Sequence, residues 1–253
     1  IYPRTPKVMK PDRLTHSYTL TAGESNAEGY MPLTLLVERI IEVATEHANS
    51  LEIGYATLIK QNIGWVLSRL SVEMDSMPEI NENYTLTTWI ESYNRRFSER
   101  NFVITGDGGK TFGYARTVWV AMDFATRTVA DLTSLERESF PTAELPCPMA
   151  KTPRIGALPA DTESSNYTFK YCDIDFNRHV NTVRYVELLM NQWPLEHYDH
   201  SFANRFDILF HHECHFGEEI ELRRSGSDNL SDCEIINHEG IKAIAARFTW
   251  KKL

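Results

Sequence analysis

The sequence predicts an α+β fold, and three features support this class. Each half of the chain contains a stretch of apolar residues at helical spacing. The stretches that follow alternate apolar and polar residues, or are rich in β-branched and aromatic residues, as antiparallel strands are. The two halves also align without a gap at an offset of 149 residues, the separation of Tyr18 and Tyr167. Together these features predict a helix wrapped by an antiparallel sheet, built twice.

The first half begins with a predicted helix. Its apolar residues fall on one face at helical spacing, which is typical of a helix packed against a sheet. They are Leu33, Leu36, Val37, Ile40, Ile41, Ala44 and Ala48.

A second helix is predicted to follow Asn181, which is a good N-cap residue. Pro194 ends the pattern. At the 149-residue offset, Leu36 falls on Tyr185, so the helical phase of the two halves agrees and indicates an internal duplication. The apolar residues of this helix are Val183, Val186, Leu189, Met190 and Trp193.

Strands are predicted after each helix. In the first half, residues 70–75 alternate apolar and polar side chains, and residues 84–91 are rich in threonine and aromatics. Residues 106–109 predict a hairpin turn between strands at 102–105 and 114–122. In the second half, strands are predicted at residues 206–214, 220–224, 230–236 and 241–250.

A proline-rich segment, residues 140–165, separates the halves. Because proline restricts the backbone to extended conformations, this segment predicts an extended linker. Its prolines are Pro141, Pro146, Pro148, Pro153 and Pro159.

Composition limits the function. A net charge of −9 argues against a general nucleic-acid partner. No apolar run approaches the ~20 residues that a membrane span needs. The four cysteines show no CxxC spacing, which predicts free thiols in a reducing compartment and a cytoplasmic location. The chain does not begin with Met, so a removed leader remains open.

Polar residues are concentrated at 173–181, directly before the second helix. Backbone N–H groups and the positive end of the helix dipole collect there, which suits a developing oxyanion. His179 is the candidate general acid or base, and Asn177 the candidate donor to a carbonyl. Asp175 has three open roles: to orient His179, to activate water, or to attack directly.

The first half lacks this chemistry. At the 149-residue offset, Asp175, Asn177 and His179 correspond to Asn26, Glu28 and Tyr30. We therefore expect one active site per chain, built by the second half.

Residues 175–181 resemble the D-x-N-x-H-V-N signature of the acyl-acyl carrier protein (acyl-ACP) thioesterases of plants and bacteria. Residues 62–73 and 115–120 also resemble segments of that family, as does Glu213-Cys214 on a predicted late strand. The resemblance extends from about Tyr18 to the C-terminus. It implies a tandem hot-dog fold, in which each half is a helix wrapped by an antiparallel sheet.

The duplication and the linker predict a division of the chain, and the resemblance implies a reaction. Residues 1–14 would be a tail, residues 15–139 the first hot-dog domain, residues 140–165 the linker, and residues 166–253 the catalytic domain. The reaction would be hydrolysis of fatty acyl-ACP, with no bound cofactor because the pantetheine arrives with the substrate. The acyl carrier protein would be the partner, and a second copy of the chain is a further candidate.

Residues 211–215, His-His-Glu-Cys-His, also invite a metal interpretation. On a strand, His211, Glu213 and His215 would share one face and span too far to surround one ion, so no metal is predicted. On the same strand, Phe206, Phe210, Phe216 and similar residues would share a face with Cys214, which predicts that this face is buried against the helix. Glu213 would then point away from the helix.

In the family, the position of Glu213 is implicated in catalysis. We favour Glu213 with Asp175 and His179 acting on water, with Cys214 beside them. A thiolate mechanism with Cys214, His179 and Asn177 is the alternative.

Substrate-binding residues are predicted as well. An acyl tunnel against the first helix, at Leu36, Ile40 and Trp65, is implied by the resemblance. Arg95 and Arg96, with Arg100 nearby, could form a basic patch for the carrier. Three other functions stay open: an acyl-CoA thioesterase, an enoyl hydratase or dehydratase, and a non-catalytic acyl-carrier binder.

Overall fold

A computed structural model describes residues 10–132 and 140–253 of the chain. Residues 1–9 of the predicted tail, and the predicted end of the first domain at residue 139, lie outside the described residues. The described residues form eleven strands and four α-helices. None of these helices is long and apolar enough to cross a membrane.

The two main helices begin 149 residues apart, as the duplication predicts. Helix α1 spans Leu33–Ser50 and α3 spans Thr182–Met190, and short helices follow them at Tyr55–Leu58 (α2) and Leu195–Tyr198 (α4). Oδ1 of Asn181 accepts the N–H of Val183 at 2.9 Å, which confirms the predicted N-cap.

Helix α3 is shorter than its apolar pattern indicates. Trp193 lies beyond its end and packs edge-on against Phe248 and Trp250 at centroid distances of 5.0 and 4.8 Å. An apolar residue that continues a helical pattern can therefore belong to the core without belonging to the helix.

All the strands belong to one antiparallel sheet. Its order is β1-β3-β4-β5-β2-β8-β11-β10-β9-β7, with β6 paired to β5. Strands β2 and β8 join the halves, with Leu70 opposite Ile208. The strand bounds are Arg13–Thr19 (β1), Ile63–Met74 (β2), Asn83–Tyr93 (β3), Phe97–Gly106 (β4), Thr111–Asp123 (β5), Thr128–Val129 (β6), Ser164–Thr168 (β7), Ser201–Phe210 (β8), Glu219–Gly226 (β9), Leu230–Asn237 (β10) and Lys242–Lys252 (β11).

The two halves share one hydrophobic core. Leu36 of α1 and Val186 of α3 are fully buried in the same apolar cluster as Phe102 of β4 and Phe206 of β8. Burial of this kind contributes about 1.5–3 kcal/mol for each large side chain. The two helices therefore lie on the same face of the sheet and stabilise each other's half.

The linker crosses the opposite face of the sheet. Arg116 of β5 donates to the carbonyls of Cys147 (2.9 Å) and Met149 (3.0 Å). Further along, the N–H of Leu158 donates to Glu234 of β10 at 3.1 Å. These bonds satisfy polar groups of the sheet that the linker shields from water.

The predicted strand at 206–214 is wrong beyond Phe210. There the N–H groups of His211 and His212 both donate to the carbonyl of Ala243, at 2.8 and 3.3 Å. Because β11 begins at Lys242, β8 has no ladder partner beyond this point. Residues 211–218 form a loop, and Phe216, predicted to share a buried face, is 67% exposed.

Candidate active site

The loop before α3 is closed by the side chain of Asp175. Its Oδ1 accepts the N–H groups of Asn177 (2.8 Å) and His179 (3.2 Å), and its own N–H donates to the carbonyl of His179 (2.8 Å). Arg178 has a φ of 68°, in the left-handed region, which the tight turn requires. Oδ1 of Asp175 therefore holds the loop that presents Asn177 and His179.

Asp173 and Asn181 fasten the two ends of this loop. Oδ2 of Asp173 accepts the N–H of Lys170 at 2.7 Å and the hydroxyl of Tyr167 at 3.0 Å. The N–H of Asn181 donates to the carbonyl of Asp173 at 2.8 Å. Asn181 is the predicted helix cap, and Asp173 is the acid that closes the turn at residues 170–173.

The first half contains the same loop without the imidazole. Oδ1 of Asn26 accepts the N–H of Tyr30 at 2.8 Å, and the N–H of Asn26 donates to the carbonyl of Tyr30 at 2.9 Å. Gly29, with a φ of 82°, stands where Arg178 stands in the second half. The duplication therefore preserves the backbone of the loop, and Tyr30 replaces His179.

His179 and Glu213 come together. Nε2 of His179 lies 3.1 Å from Oε2 of Glu213, and each side chain is about one quarter to one third exposed. Because residues 211–218 leave the strand, the alternation that would have turned Glu213 away does not apply. The structure therefore brings together two of the predicted site residues, and it places Glu213 in a loop instead of on the predicted strand.

Arg127 also binds Glu213, and sequence analysis missed it. Its Nη2 contacts the same Oε2 atom that faces His179. Arg127 belongs to the turn between β5 and β6 in the first half, so both halves contribute to the site. An isolated arginine in a turn gave no sequence signal, because the contact depends on how the halves pack.

Cys214 is fully buried beside the site. Its N–H donates to the hydroxyl of Tyr185 at 3.0 Å. Burial raises the pKa of the Cys214 thiol to about 11, since an apolar environment disfavours the thiolate. A protonated thiol is a poor nucleophile, so the site does not favour the thiolate mechanism.

Exposed aromatic residues from both halves lie next to this loop. Phe176 is 78% exposed and packs edge-on against Tyr55, with ring centroids 5.7 Å apart. Asn177, the next residue, is exposed as well.

Three side chains could hold a divalent cation, and they differ from the set considered from sequence. The ligand atoms of His179, Glu213 and His215 all lie within 4.8 Å of one another. His211 lies outside this group. Arg127 already contacts the Glu213 carboxylate, and its positive charge opposes a cation there.

The predicted acyl-binding residues lie in the interior. Leu36 and Ile40 are fully buried in the main core. Trp65 is partly buried, donates its Nε1–H to the carbonyl of Ile53 at 2.8 Å, and lies edge-on to Phe140.

The predicted basic patch is only partly formed. Arg95 and Arg96 are exposed in the turn between β3 and β4. Arg100 is not part of the patch, because it is buried under α1 and donates to Nδ1 of His47 at 2.6 Å. The N–H of Ala121 donates to the carbonyl of Arg96 at 3.2 Å, so the patch lies beside the end of β5 that leads to Arg127.

Comparison with known families covers most of the chain. Residues 11–137 match the model of the acyl-ACP thioesterase N-terminal domain. Residues 156–252 match the model of the acyl-ACP thioesterase C-terminal domain.

Solved structures of similar proteins have the same fold. A crystal structure of an acyl-ACP thioesterase from Bacteroides thetaiotaomicron is 31% identical, with a TM-score of 0.89, and the match covers 95% of this chain and 98% of that one. A 12:0-ACP thioesterase from Umbellularia californica is 17% identical with a TM-score of 0.85, over 96% of this chain and 98% of that one, and supports the fold alone. The predicted tandem hot-dog fold is confirmed.

Plant relatives match at lower identity. The chloroplastic palmitoyl-acyl carrier protein thioesterase of Arabidopsis thaliana is 23% identical over 211 residues, which are 78% of this chain. The chain spans about half the length of such relatives, 51% in this case. The cytoplasmic location expected from sequence stays a prediction.

Proposed function

The chain belongs to the acyl-ACP thioesterase family, and we propose that it hydrolyses fatty acyl-ACP to free fatty acid and ACP. One observation carries the proposal: the 3.1 Å pairing of His179 with Glu213, in which His179 stands on the same solvent-exposed loop as Asn177. A histidine held by a carboxylate beside an amide donor is what water attack on a thioester carbonyl needs.

The contacts favour separate roles for the two paired residues. Nε2 of His179 faces Glu213, so the Nε2–H donates to the carboxylate and Nδ1 is left to accept a proton from water. The water oxygen then attacks the thioester carbon while Asn177 donates to the carbonyl oxygen. Collapse of the tetrahedral intermediate breaks the C–S bond, and the pantetheine thiolate leaves and takes the proton held by His179, which regenerates the base.

Asp175 and Cys214 support this chemistry indirectly. Oδ1 of Asp175 accepts the N–H groups of Asn177 and His179, so Asp175 fixes the backbone positions of both residues. The Cys214 thiol is buried, and its backbone joins the two loops because its carbonyl accepts the N–H of Val180 at 2.9 Å. We assign neither residue as the nucleophile.

The proposed substrate has two parts, an acyl chain and a carrier protein, and we assign each part to a different region of the chain. We propose that the acyl chain enters the interior along α1, near Leu36, Ile40 and Trp65, where the walls are apolar. We propose that the acidic carrier docks at Arg95 and Arg96. Charge complementarity of this kind chiefly raises the association rate.

The test is thiol release from purified protein with acyl-ACPs of C8 to C18, beside matched acyl-CoAs at equal concentration. A preference for ACP esters with a maximum at one chain length supports the proposal. Equal or better use of CoA esters would identify an acyl-CoA thioesterase instead. No release from either ester would reject hydrolysis and favour a hydratase or a binding protein.

A further inference from the structure

The turn between β5 and β6 is held in one shape by Asp123. Its Oδ1 accepts the N–H groups of Ala125 (2.8 Å) and Thr126 (3.0 Å). Its carbonyl accepts the N–H of Arg127 at 2.8 Å. The last residue of the turn, Arg127, therefore has a fixed backbone.

Phe124 fastens the same turn to the start of β2. Its N–H donates to the carbonyl of Asn62, the residue before that strand, at 2.9 Å. Its ring lies where a side chain at position 64 would be, since a Cβ on Gly64 would come within 2.3 Å of the ring. Only glycine leaves this space, so the turn is packed against the sheet as well as hydrogen-bonded to it.

Arg127 has an unfavourable backbone conformation in this turn. Its φ of 58° lies in the left-handed region, where glycine is relaxed and an arginine is strained. A glycine would suit the turn better. What arginine supplies here is the guanidinium that reaches the second half and contacts Oε2 of Glu213.

We propose that Arg127 is a positioning residue for the reaction, through which the first half completes the active site of the second. This inference rests on the proposed function. In this role Arg127 acts through Glu213: it fixes the Glu213 carboxylate towards His179 and sets a positive charge beside the pair.

The contact reaches the base through the carboxylate. Oε2 of Glu213 is the atom that faces both Nε2 of His179 and Nη2 of Arg127, so the guanidinium fixes the carboxylate oxygen that holds the imidazole.

The test compares Arg127→Gly, Arg127→Gln and Arg127→Lys with the native protein. In Arg127→Gly we expect kcat for acyl-ACP to fall by about 10²-fold, because the base is misplaced. KM should stay within about twofold, since a residue that acts through Glu213 on the base affects the chemical step and not substrate binding. The unfolding temperature should hold or rise, because glycine relieves the positive φ.

Two further comparisons distinguish the effect of the Arg127–Glu213 contact from the effect of losing one positive charge anywhere on the protein. Arg127→Lys keeps the charge and should retain more kcat than Arg127→Gln. Arg69 of β2 is exposed, and Arg69→Gln removes the same charge elsewhere, so its kcat and KM should match those of the native protein.

The proposal is overturned if Arg127→Gly keeps native kcat. It is also overturned if Arg127→Lys and Arg127→Gln have the same kcat, or if Arg69→Gln lowers kcat equally. A native protein that does not hydrolyse acyl-ACP would instead reject the proposed function.

Discussion

Nε2 of His179 lies 3.1 Å from Oε2 of Glu213, and backbone pairing between their two loops holds that distance. His179 forms an antiparallel bridge with His215, and the N–H of Val180 donates to the carbonyl of Cys214 at 2.9 Å. The side chains meet because the main chains on which they stand are hydrogen-bonded to each other. Substitutions at either side chain should therefore change the chemistry while leaving the loops in place.

Replacing Cys214 should leave most of the activity. With the pKa of the thiol raised to about 11, only about one molecule in 10⁴ carries a thiolate at pH 7. We expect kcat/KM of Cys214→Ala to stay within about fivefold of native, with some loss of stability from the cavity. A folded Cys214→Ala protein without activity would favour the thiolate mechanism.

Thiol labelling provides an independent check of the same point. Cys172 is exposed and should react first with iodoacetamide, without loss of activity, whereas buried Cys214 should react only on unfolding. Inactivation that follows labelling of Cys214 in the folded protein would contradict the assignment.

Asn181→Ala should destabilise the protein by about 1 kcal/mol, the usual cost of losing an N-cap. For a chain of this size that lowers Tm by about 2–4 °C. Asn191, at the other end of α3, is an exposed control, and Asn191→Ala should change stability by less than about 0.5 kcal/mol. Equal effects of the two substitutions in thermal unfolding would show that the Asn181 cap is not responsible.

The fold was largely predictable because its signals are local. The stripe from Leu33 to Ala48 and the cap at Asn181 depend on neighbouring residues, and both were confirmed. The end of β8 at Phe210 depends on where its partner strand β11 begins, and the residues of β8 alone do not indicate that position. The strand was therefore predicted too long, and Glu213 was placed on the wrong element.

Stability should fall as the pH drops below about 6.5, because of His47. This side chain is fully buried, with Nδ1 accepting from Arg100 at 2.6 Å and Nε2 3.1 Å from the carbonyl of Pro11. Burial, and then the charge of Arg100, lower the pKa of His47 to about 4. The unfolded state thus binds the proton more tightly, so this contribution is fully present above pH 6.5 and is lost as the pH falls to 4.

The loss from His47 amounts to at most about 3 kcal/mol below pH 4. His47→Gln is the matched test, because its amide can accept from Arg100 and donate to Pro11 without titrating. Urea unfolding between pH 4 and 7 should show a smaller slope in this variant. An unchanged slope would mean that other groups cause the acid sensitivity.

Charge reversal at Arg95 and Arg96 should weaken use of the carrier substrate. We expect KM for acyl-ACP to rise by about three- to tenfold, with KM for acyl-CoA nearly unchanged, because the patch would contact the acidic carrier. The effect should shrink at high salt. The exposed Arg69→Glu is the charge control, and equal changes for both thioesters would remove the patch from the docking surface.

The site was predictable in part, for reasons that differ between residues. Asp175, Asn177 and His179 lie within five positions of one another, so their clustering was visible in the sequence. Arg127 reaches Glu213 from the other half of the chain, and nothing in its neighbourhood marks it. Arg100 looked like a surface charge beside Arg95 and Arg96, but strand alternation places it under α1, where His47 and Thr88 are its partners.

The most direct test of His179 and Glu213 as the catalytic unit is a double-mutant cycle on these two residues with acyl-ACP as substrate. Each of His179→Ala and Glu213→Gln should lower kcat/KM by about 10²–10⁴-fold while thermal unfolding stays close to native. If Glu213 acts through His179, the double variant should be no less active than the worse single variant. Losses that multiply in the double variant, or a Glu213→Gln protein with native activity, would contradict the pairing as the catalytic unit.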